Sequence, residues 1–312
     1  MLTKCVVTGG AGFIGSNLVR RLIEEDYEVT VIDNLSTGRI VNISDVLDGV
    51  RFVQGDIRDL DLLKLEFQGA EVVFHQAALP SVPRSIADPI STNSNNIDGT
   101  LNVLVSAKEC RVRRVVLASS SSVYGDTEIL PKTENMVANP LSPYAVTKYV
   151  GEIYAKVFAE LYGLETLCLR YFNVFGPYQD PNSQYAAVIP KFINLMIKGE
   201  RPVIYGDGEQ SRDFTYVDNV VEANLLATKV PNVSGDVFNI GCGKRFTLNH
   251  LVEVLNELLG LSIEPAYVAP RPGDVRHSMA SIDRAREVLG YDPPVSFEEG
   301  LEETVRWFME QF

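Results

Sequence analysis

A glycine-rich turn at the start of the chain constrains its fold more than any other feature. The segment Thr8–Gly15 (TGGAGFIG) follows the apolar run Lys4–Thr8 and opens a helix predicted over Phe13–Glu24. Such glycines permit a tight turn, close approach of the backbone to a pyrophosphate, and close packing of helix on strand. A pyrophosphate at the helix N-terminus would meet unpaired N–H groups and the positive end of the helix dipole. The turn therefore predicts a dinucleotide-binding fold, through the spacing Gly10-x-Gly12-x-x-Gly15 or Gly9-x-x-Gly12-x-x-Gly15.

The first half of the sequence alternates Val- and Ile-rich runs with amphipathic stretches, which predicts a parallel sheet covered by helices on both faces. The predicted strands are Lys4–Thr8, Glu28–Ile32, Val50–Gln54, Glu71–His75, Arg114–Ala118 and Thr166–Arg170, and the predicted helices include Phe13–Glu24, Ile90–Glu109, Pro143–Leu161, Thr247–Leu259 and Ile282–Leu289. We expect an α/β protein with a doubly wound Rossmann sheet over residues 1–170. The loop-rich remainder, 171–312, is predicted to form a smaller, discontinuous substrate lobe of α/β type, with part of 213–240 returning to the main sheet as the strand Val237–Ile240.

An acidic residue ends the second predicted strand. Asp33 lies about twenty residues beyond the glycines, where a carboxylate bonds the adenosine ribose hydroxyls. It would repel a 2′-phosphate, so the sequence favours NAD over NADP. Asp56, after the third strand, is equally consistent with a contact to adenine and with a turn-capping role.

Composition narrows the choice of partners. The 312-residue chain carries a net charge of −13, so we expect no nucleic-acid partner, because a negative protein repels a phosphate backbone. A few local arginines can still hold a small phosphorylated molecule. Four scattered cysteines without CxxC pairs and three histidines without ligand spacing predict no metal and a reducing compartment. The sequence has neither a signal-peptide pattern nor a membrane-length apolar run. We expect a soluble cytoplasmic protein that binds neither nucleic acid nor membrane.

Three residues form a candidate acid–base group. Tyr144 and Lys148 lie one turn apart on a predicted helix and share a face. A nearby ammonium is expected to lower the pKa of the tyrosine phenol towards that of a general base. Ser120 belongs to a serine run at the end of the fifth strand, and hydroxyls there open onto the cofactor crevice in this architecture.

The chain as a whole resembles the extended short-chain dehydrogenase/reductases. Within them it is most similar to the UDP-hexose 4-epimerases, above all those of UDP-N-acetylglucosamine. The resemblance covers nearly the whole chain and rests on the motifs TGGAGFIG, Asp33-Asn34, GDIRD, HQAA, SSSSVYG, YAVTK, RYFNVFG, GDGEQSRDF and RPGDVRHS. It implies that Tyr144 is the base, that Ser120 contacts the sugar oxygen, and that Lys148 binds the cofactor ribose. It also implies a homodimer.

The resemblance further implies two sets of binding residues. The implied NAD contacts are Gly9, Gly12, Phe13, Ile14, Gly15, Asp33, Asn34, Asp56, Ile57, Ala77, Ala78, Asn96, Tyr144, Lys148 and Tyr171. The implied substrate contacts are Ser81, Ser121, Ser122, Asn173, Gln179, Val188, Arg212, Arg271, Asp274 and Ser278. Among these, Asn173, Arg212, Arg271 and Asp274 are expected around the uridine diphosphate.

The two residues after the catalytic hydroxyl indicate the reaction type. Related dehydratases and decarboxylases carry an acid there, whereas this chain has Ser121 and Ser122. A base, a hydroxyl and bound NAD can remove a hydride and return it, so we expect a transient 4-keto sugar that rotates before reduction, with NAD recycled. A nucleotide-sugar dehydratase or decarboxylase, and a non-catalytic NAD-sensing protein, remain the alternatives.

The identity of the sugar depends on a few positions around the predicted pocket. Ser278 stands where similar epimerases that exclude N-acetyl sugars carry a bulky tyrosine, and Ser121, Ser122 and Gln179 match positions that line the acetamido group. We therefore expect UDP-GlcNAc and UDP-GalNAc as substrates, with UDP-glucose and UDP-galactose still open. A uronic acid would require an added basic group near the sugar, and the sequence identifies none.

Overall fold

The computed structural model describes residues 2–182, 187–270 and 275–311, and its centre is a seven-stranded parallel sheet. The strands of this sheet are β1 (Thr3–Thr8), β2 (Tyr27–Asp33), β3 (Val50–Gln54), β4 (Val72–His75), β5 (Arg114–Ser120), β6 (Glu165–Tyr171) and β11 (Asp236–Ile240). Their spatial order is β11-β6-β5-β4-β1-β2-β3. The order reverses between β1 and β4, which is where open α/β sheets form a ligand crevice. The predicted fold class is confirmed.

Besides short 3-10 and π-helical turns, the described residues form six further short strands and ten α-helices. The short strands are β7 (Val174–Phe175), β8 (Val203–Tyr205), β9 (Ser211–Arg212), β10 (Thr215–Tyr216), β12 (Phe246–Thr247) and β13 (Ala266–Val268). The helices are α1 (Phe13–Glu24), α2 (Leu60–Glu66), α3 (Val82–Ala87), α4 (Pro89–Asn93), α5 (Gly99–Glu109), α6 (Pro143–Tyr162), α7 (Val188–Ile197), α8 (Val217–Lys229), α9 (Leu248–Leu259) and α10 (Phe297–Glu310).

Two predicted helices differ from the structure. The stretch Ile90–Glu109 is not one regular helix, because a π-helical turn at Ser94–Asp98 separates α4 from α5. Ile282–Leu289 is reduced to a π turn over Ala285–Leu289. A π turn lets one extra residue into the helix, so side chains after it are rotated relative to a regular helix.

Helix α6 is defined by local signals at both ends. The Ser142 hydroxyl accepts a hydrogen bond from the Ala145 N–H at 3.2 Å, and Pro143 occupies the first helical position. Gly163 ends the helix in a left-handed conformation with φ of 69°. The helix packs against β5 and β6 and carries Tyr144 and Lys148 beside the ends of those strands.

The C-terminal part of the chain contributes to both layers of the molecule. Strand β11 pairs in parallel with β6, so the predicted return of Val237–Ile240 to the main sheet is confirmed. A separate apolar core packs α7, α9 and α10 around Phe175 and Phe297. Among the described residues, no helix is long and apolar enough to cross a membrane.

Candidate active site

The glycine turn forms the floor of a cleft at the carboxyl ends of the strands. Gly9 has φ of +73°, a left-handed conformation that glycine adopts without strain. A Cβ on Gly15 would lie 2.1 Å from the Gly9 carbonyl oxygen, so only glycine allows α1 to approach this closely. No side chain caps the N-terminus of α1 at Gly12, which leaves first-turn N–H groups available to a phosphate.

Asp33 is fixed at the edge of this cleft by the backbone around it. Its carboxylate accepts hydrogen bonds from the N–H groups of Ala11 at 3.0 Å and Leu35 at 2.8 Å. Burial raises the pKa of Asp33, while these two hydrogen bonds act in the opposite direction. The side chain is therefore held in one orientation in the wall of the cleft.

Most of the predicted cofactor residues line this cavity, which we call the glycine cleft. The predicted residues on its wall are Gly9, Gly12, Phe13, Ile14, Gly15, Asp33, Asn34, Ile57, Ala77, Ala78, Tyr144, Lys148 and Tyr171. Gln76 and Asn95 also line it and were not identified from the sequence. The glycine floor, the uncapped helix terminus and the carboxylate of Asp33 together fit a dinucleotide such as NAD.

Two predicted cofactor residues do not belong to the wall of the glycine cleft. Asp56 is held by the Arg58 guanidinium at 2.7 Å and by the Asn34 amide at 2.9 Å, which lowers its pKa. Asn96 is bonded to the backbone of Leu79 and to the Thr147 hydroxyl, while its neighbour Asn95 reaches the cleft. The extra residue of the π turn at Ser94–Asp98 changes which side chains face the cleft, and sequence spacing does not reveal it.

Tyr144 lies where the glycine cleft meets a second cavity, and the Ser120 hydroxyl in the wall of that cavity is close enough to act on its phenol. Burial is the largest influence on Tyr144 and raises its pKa, and the Ser120 hydroxyl is the group that lowers it. Lys148 is not among the groups that shift this pKa, so the predicted lowering by its ammonium is not confirmed. The Lys148 ammonium lies 5.9 Å from the centre of the Tyr144 ring and donates to the Ala118 carbonyl at 2.8 Å. Burial also lowers the pKa of Lys148 to about 8.

A buried ion pair supports the strand that carries Ser120. The Glu152 carboxylate on α6 makes two hydrogen bonds with Arg170 on β6, at 2.8 and 2.7 Å. The same carboxylate accepts the hydroxyl hydrogen bond of Ser119. Bidentate arginine–carboxylate pairs have little orientational freedom, so α6, β5 and β6 are joined directly beneath the acid–base group.

The second cavity is lined by hydroxyl groups, and we call it the serine chamber. Its lining includes the predicted residues Ser81, Ser120, Ser121, Ser122, Tyr144, Tyr171, Asn173, Arg212 and Ser278. The Ser278 N–H donates to the Ser211 carbonyl at 3.0 Å, which ties this wall to β9. Lys132 also lines the chamber and was not identified from the sequence.

A third cavity adjoins the serine chamber and contains several rings, and we call it the aromatic chamber. It is lined by Phe175, Phe192, Tyr205 and Phe214 together with the predicted residues Asn173, Val188 and Arg212. Asn173 and Arg212 line both chambers. Gln179 lies in the wall of neither chamber among the described residues, and its amide donates to the Val174 carbonyl at 3.3 Å. Arg271 and Asp274 lie outside the described residues. Over 2–182, 187–270 and 275–311, no cluster of potential metal ligands occurs.

Comparison with known proteins identifies the family. The model of the NAD dependent epimerase/dehydratase family matches residues 5–241. The UDP-glucose 4-epimerase of Mycolicibacterium smegmatis is 41% identical over 310 residues, which are 98% of this chain and 98% of that protein. The solved UDP-N-acetylglucosamine 4-epimerase of Methanobrevibacter ruminantium M1, in complex with UDP-N-acetylmuramic acid, is 45% identical with a TM-score of 0.96, over 100% of this chain and 99% of that one.

A second solved structure agrees. The UDP-glucose 4-epimerase of Thermotoga maritima with UDP-glucose is 42% identical with a TM-score of 0.94, over 99% of each chain. The present chain therefore belongs to the NAD-dependent epimerase/dehydratase family. NAD is its cofactor, as the glycine turn and Asp33 predict.

Proposed function

We propose that this member of the NAD-dependent epimerase/dehydratase family inverts C4 of a UDP-hexose. UDP-GlcNAc and UDP-GalNAc are the proposed substrate pair, and UDP-glucose and UDP-galactose are a second pair that the same site can accept. One observation carries the proposal: Tyr144 lines both the glycine cleft and the serine chamber, and the Ser120 hydroxyl lies near its phenol in the chamber wall. A sugar in the serine chamber would thus lie beside the cofactor and the acid–base group at once.

The proposed chemistry assigns a role to each of three residues. NAD, when bound, supplies a temporary acceptor for the hydride of C4. Tyr144 accepts the proton of the sugar 4-hydroxyl, and Ser120 holds the sugar oxygen in line with the phenol. Lys148, fixed by the Ala118 carbonyl, is positioned to bond a cofactor ribose and to keep a positive charge beside the site. Because C4 would regain, on its other face, the hydride that it lends to NAD, and its oxygen would regain the proton from Tyr144, the reaction has no net redox change.

Two residues support epimerisation over the alternatives. Ser121 and Ser122 come directly after Ser120 in a short 3-10 turn and line the serine chamber. The described residues that line this chamber include no carboxylate. Elimination of water or assisted decarboxylation would need such an acid, so a dehydratase or decarboxylase is the weaker hypothesis. A non-catalytic NAD sensor would not need Ser120 and Tyr144 together in the wall of this chamber.

The proposed position of the nucleotide depends on the two chambers. Arg212, at the boundary between them, is suited to the diphosphate because a guanidinium makes bidentate, charge-assisted bonds. The rings of the aromatic chamber would then contact the uridine. We propose that residues 171–312 form the lobe that holds this nucleotide, with the sugar left to turn in the serine chamber. The small Ser278 side chain in the wall leaves room for an acetamido group.

Conversion without added cofactor is the decisive test. Purified protein is incubated separately with UDP-GlcNAc and UDP-glucose, and the nucleotide sugars are separated by chromatography. Formation of UDP-GalNAc without added NAD supports C4 inversion with a bound, recycled cofactor. Conversion of UDP-glucose alone would keep the reaction and reject the sugar assignment. No conversion of either sugar, with NAD supplied, would reject the proposed function.

We also propose that the chain forms a homodimer through α6. Val146 and Ile153 are 42% and 47% exposed and lie seven residues apart, on one face of the helix. Apolar residues at this spacing are typical of helix-to-helix packing. Light scattering after size-exclusion chromatography should give twice the chain mass, and Ile153→Arg should shift it towards one chain mass. A single-chain mass for the unmodified protein would reject the dimer.

A further inference from the structure

Lys132 is a buried basic residue in the serine chamber that the proposed reaction does not use. Only 2% of its surface is exposed, and it lines the chamber together with Ser122 and Ser278. Its backbone N–H donates to the Met279 carbonyl at 2.8 Å, and its carbonyl accepts from the Ser281 N–H at 2.8 Å. The lysine backbone is thus tied to the segment that carries Ser278, which fixes the residue at one wall of the chamber.

Among the described residues, no carboxylate forms an ion pair with the ammonium of Lys132 within 4.0 Å. This ammonium donates to the Thr127 carbonyl. An ammonium has three donors, so two remain. Asp126 is close enough to act on the charge electrostatically, but burial is the larger influence and lowers the pKa of Lys132. Burying a charge that is only partly balanced is costly, which makes the site favourable for an anion.

The position of Lys132 separates it from the proposed diphosphate site. Arg212 lines both chambers, whereas Lys132 lines only the serine chamber. The diphosphate at the boundary would therefore be balanced by Arg212, and the charge of Lys132 would remain available to the sugar. The serine hydroxyl groups that line the chamber are neutral, so they do not balance the charge of the Lys132 ammonium. Ser122 Oγ, also buried in this wall, has no hydrogen-bond partner in the described structure.

We infer that Lys132 is the counter-ion for a carboxylate carried by the hexose, so that acidic UDP-N-acetylhexosamines are preferred over neutral ones. This inference rests on the proposed function, since it concerns the sugar of the same substrate. The carboxylate could be that of a hexuronate, at C6, or that of a carboxyalkyl ether on O3. Both present the same charge-assisted acceptor to the ammonium.

The test compares three substrates on four proteins. We would measure kcat/KM for UDP-GlcNAc, UDP-N-acetylglucosaminuronate and UDP-N-acetylmuramate with the unmodified protein, Lys132→Met, Lys132→Arg and the control Lys229→Met. Lys229 is an exposed lysine at the C-terminal end of α8. Lys229→Met therefore removes one positive charge that does not line the chambers.

The inference predicts a selective effect. The unmodified protein should use at least one carboxylated substrate about tenfold better than UDP-GlcNAc. Lys132→Met should lower kcat/KM for that substrate about tenfold to a hundredfold, mainly through KM, because one charge-assisted hydrogen bond is lost. It should change UDP-GlcNAc conversion less than about threefold, and Lys132→Arg should recover most of the preference. The two carboxylated substrates distinguish a C6 from an O3 carboxylate.

Two outcomes would overturn the inference, and a third would reject the function on which it rests. An equal loss on neutral and acidic substrates in Lys132→Met would assign the lysine a purely structural role, through its bond to Thr127. Conversion of UDP-GlcNAc by the unmodified protein without an acid preference would reject it even if Lys132→Met fails to fold. Conversion of none of the three substrates would instead reject the proposed function on which the inference rests.

Discussion

The glycine cleft and the serine chamber share Tyr144, yet they are built in different ways. The floor of the glycine cleft is the glycine turn, and the carboxylate of Asp33 in its wall is held by two backbone N–H groups. The serine chamber is lined by side chains from distant parts of the sequence, and its Ser122 hydroxyl has no partner among the described residues. The difference matches two tasks: a cofactor that stays needs a fixed site, whereas a sugar that must turn needs adaptable contacts.

Loss of Tyr144 should have the largest effect. Tyr144→Phe removes the proposed base but keeps the ring, so turnover should fall about a hundredfold to ten-thousandfold. The NAD content of the purified protein should stay the same, because the glycine cleft keeps its floor and Asp33. Chromatography of UDP-sugars and of released cofactor measures both quantities. Turnover close to that of the unmodified protein would reject Tyr144 as the base.

The rigidity of the glycine cleft predicts the next largest effect. In Gly15→Ala the new methyl group would meet the Gly9 carbonyl at 2.1 Å and the Gly10 Cα at 2.8 Å. Backbone cannot move aside as a side chain can, so α1 must shift, and NAD affinity should fall about tenfold or more. The matched control is Gly49→Ala, where the nearest atom is in the Ile23 side chain at 3.6 Å. Equal NAD binding by the two variants, measured by calorimetry, would contradict this account.

A substitution in the wall of the serine chamber should affect one sugar substrate more than the other. Ser278→Tyr adds a ring to the wall, and we expect it to lower kcat/KM for UDP-GlcNAc about tenfold while UDP-glucose conversion changes little. A pocket that lacks space for one extra group discriminates by about this factor. Parallel assays of the two sugars measure the ratio. An equal loss on both would indicate that the ring blocks the chamber as a whole.

The smallest expected effect concerns pH. Because burial lowers the pKa of Lys148 to about 8, the lysine loses its proton as the pH rises through that value. kcat/KM, which reports groups of the free enzyme, should therefore be constant below about pH 7 and fall a few-fold between about pH 8 and 8.5. Lys148→Arg, whose guanidinium stays charged, should lose this decline. A flat profile up to about pH 9.5 in the unmodified protein would contradict the prediction.

The sequence predicts the glycine cleft better than the serine chamber for a physical reason. The turn Thr8–Gly15, Asp33 and the pair on α6 depend on local spacing and on strand ends, which one segment reveals at a time. Lys132 and Ser278 meet only because their backbones are paired, Lys132 to Met279 and Ser281, across about 150 residues of chain. No pattern within one segment of the sequence predicts that these two residues are close in space.

The pKa values show the same limit. The helical spacing of Tyr144 and Lys148 is confirmed, since both lie on α6. The predicted lowering of the Tyr144 pKa is not confirmed. That pKa depends on how deeply the phenol is buried and on which acceptor the Lys148 ammonium bonds. Those quantities are set by the packing of β5, β6 and α6, which sequence spacing does not contain.

The pairing of β11 with β6 has a consequence for how the protein is made. The outermost strand of the sheet is supplied by residues 236–240, so the sheet stays incomplete until the ribosome has translated about three quarters of the 312 codons. A recombinant fragment ending near residue 171 would expose the backbone of β6 as an open edge, which is a template for aggregation. Shortened expression products are therefore better terminated after β11 than at the apparent end of the Rossmann pattern.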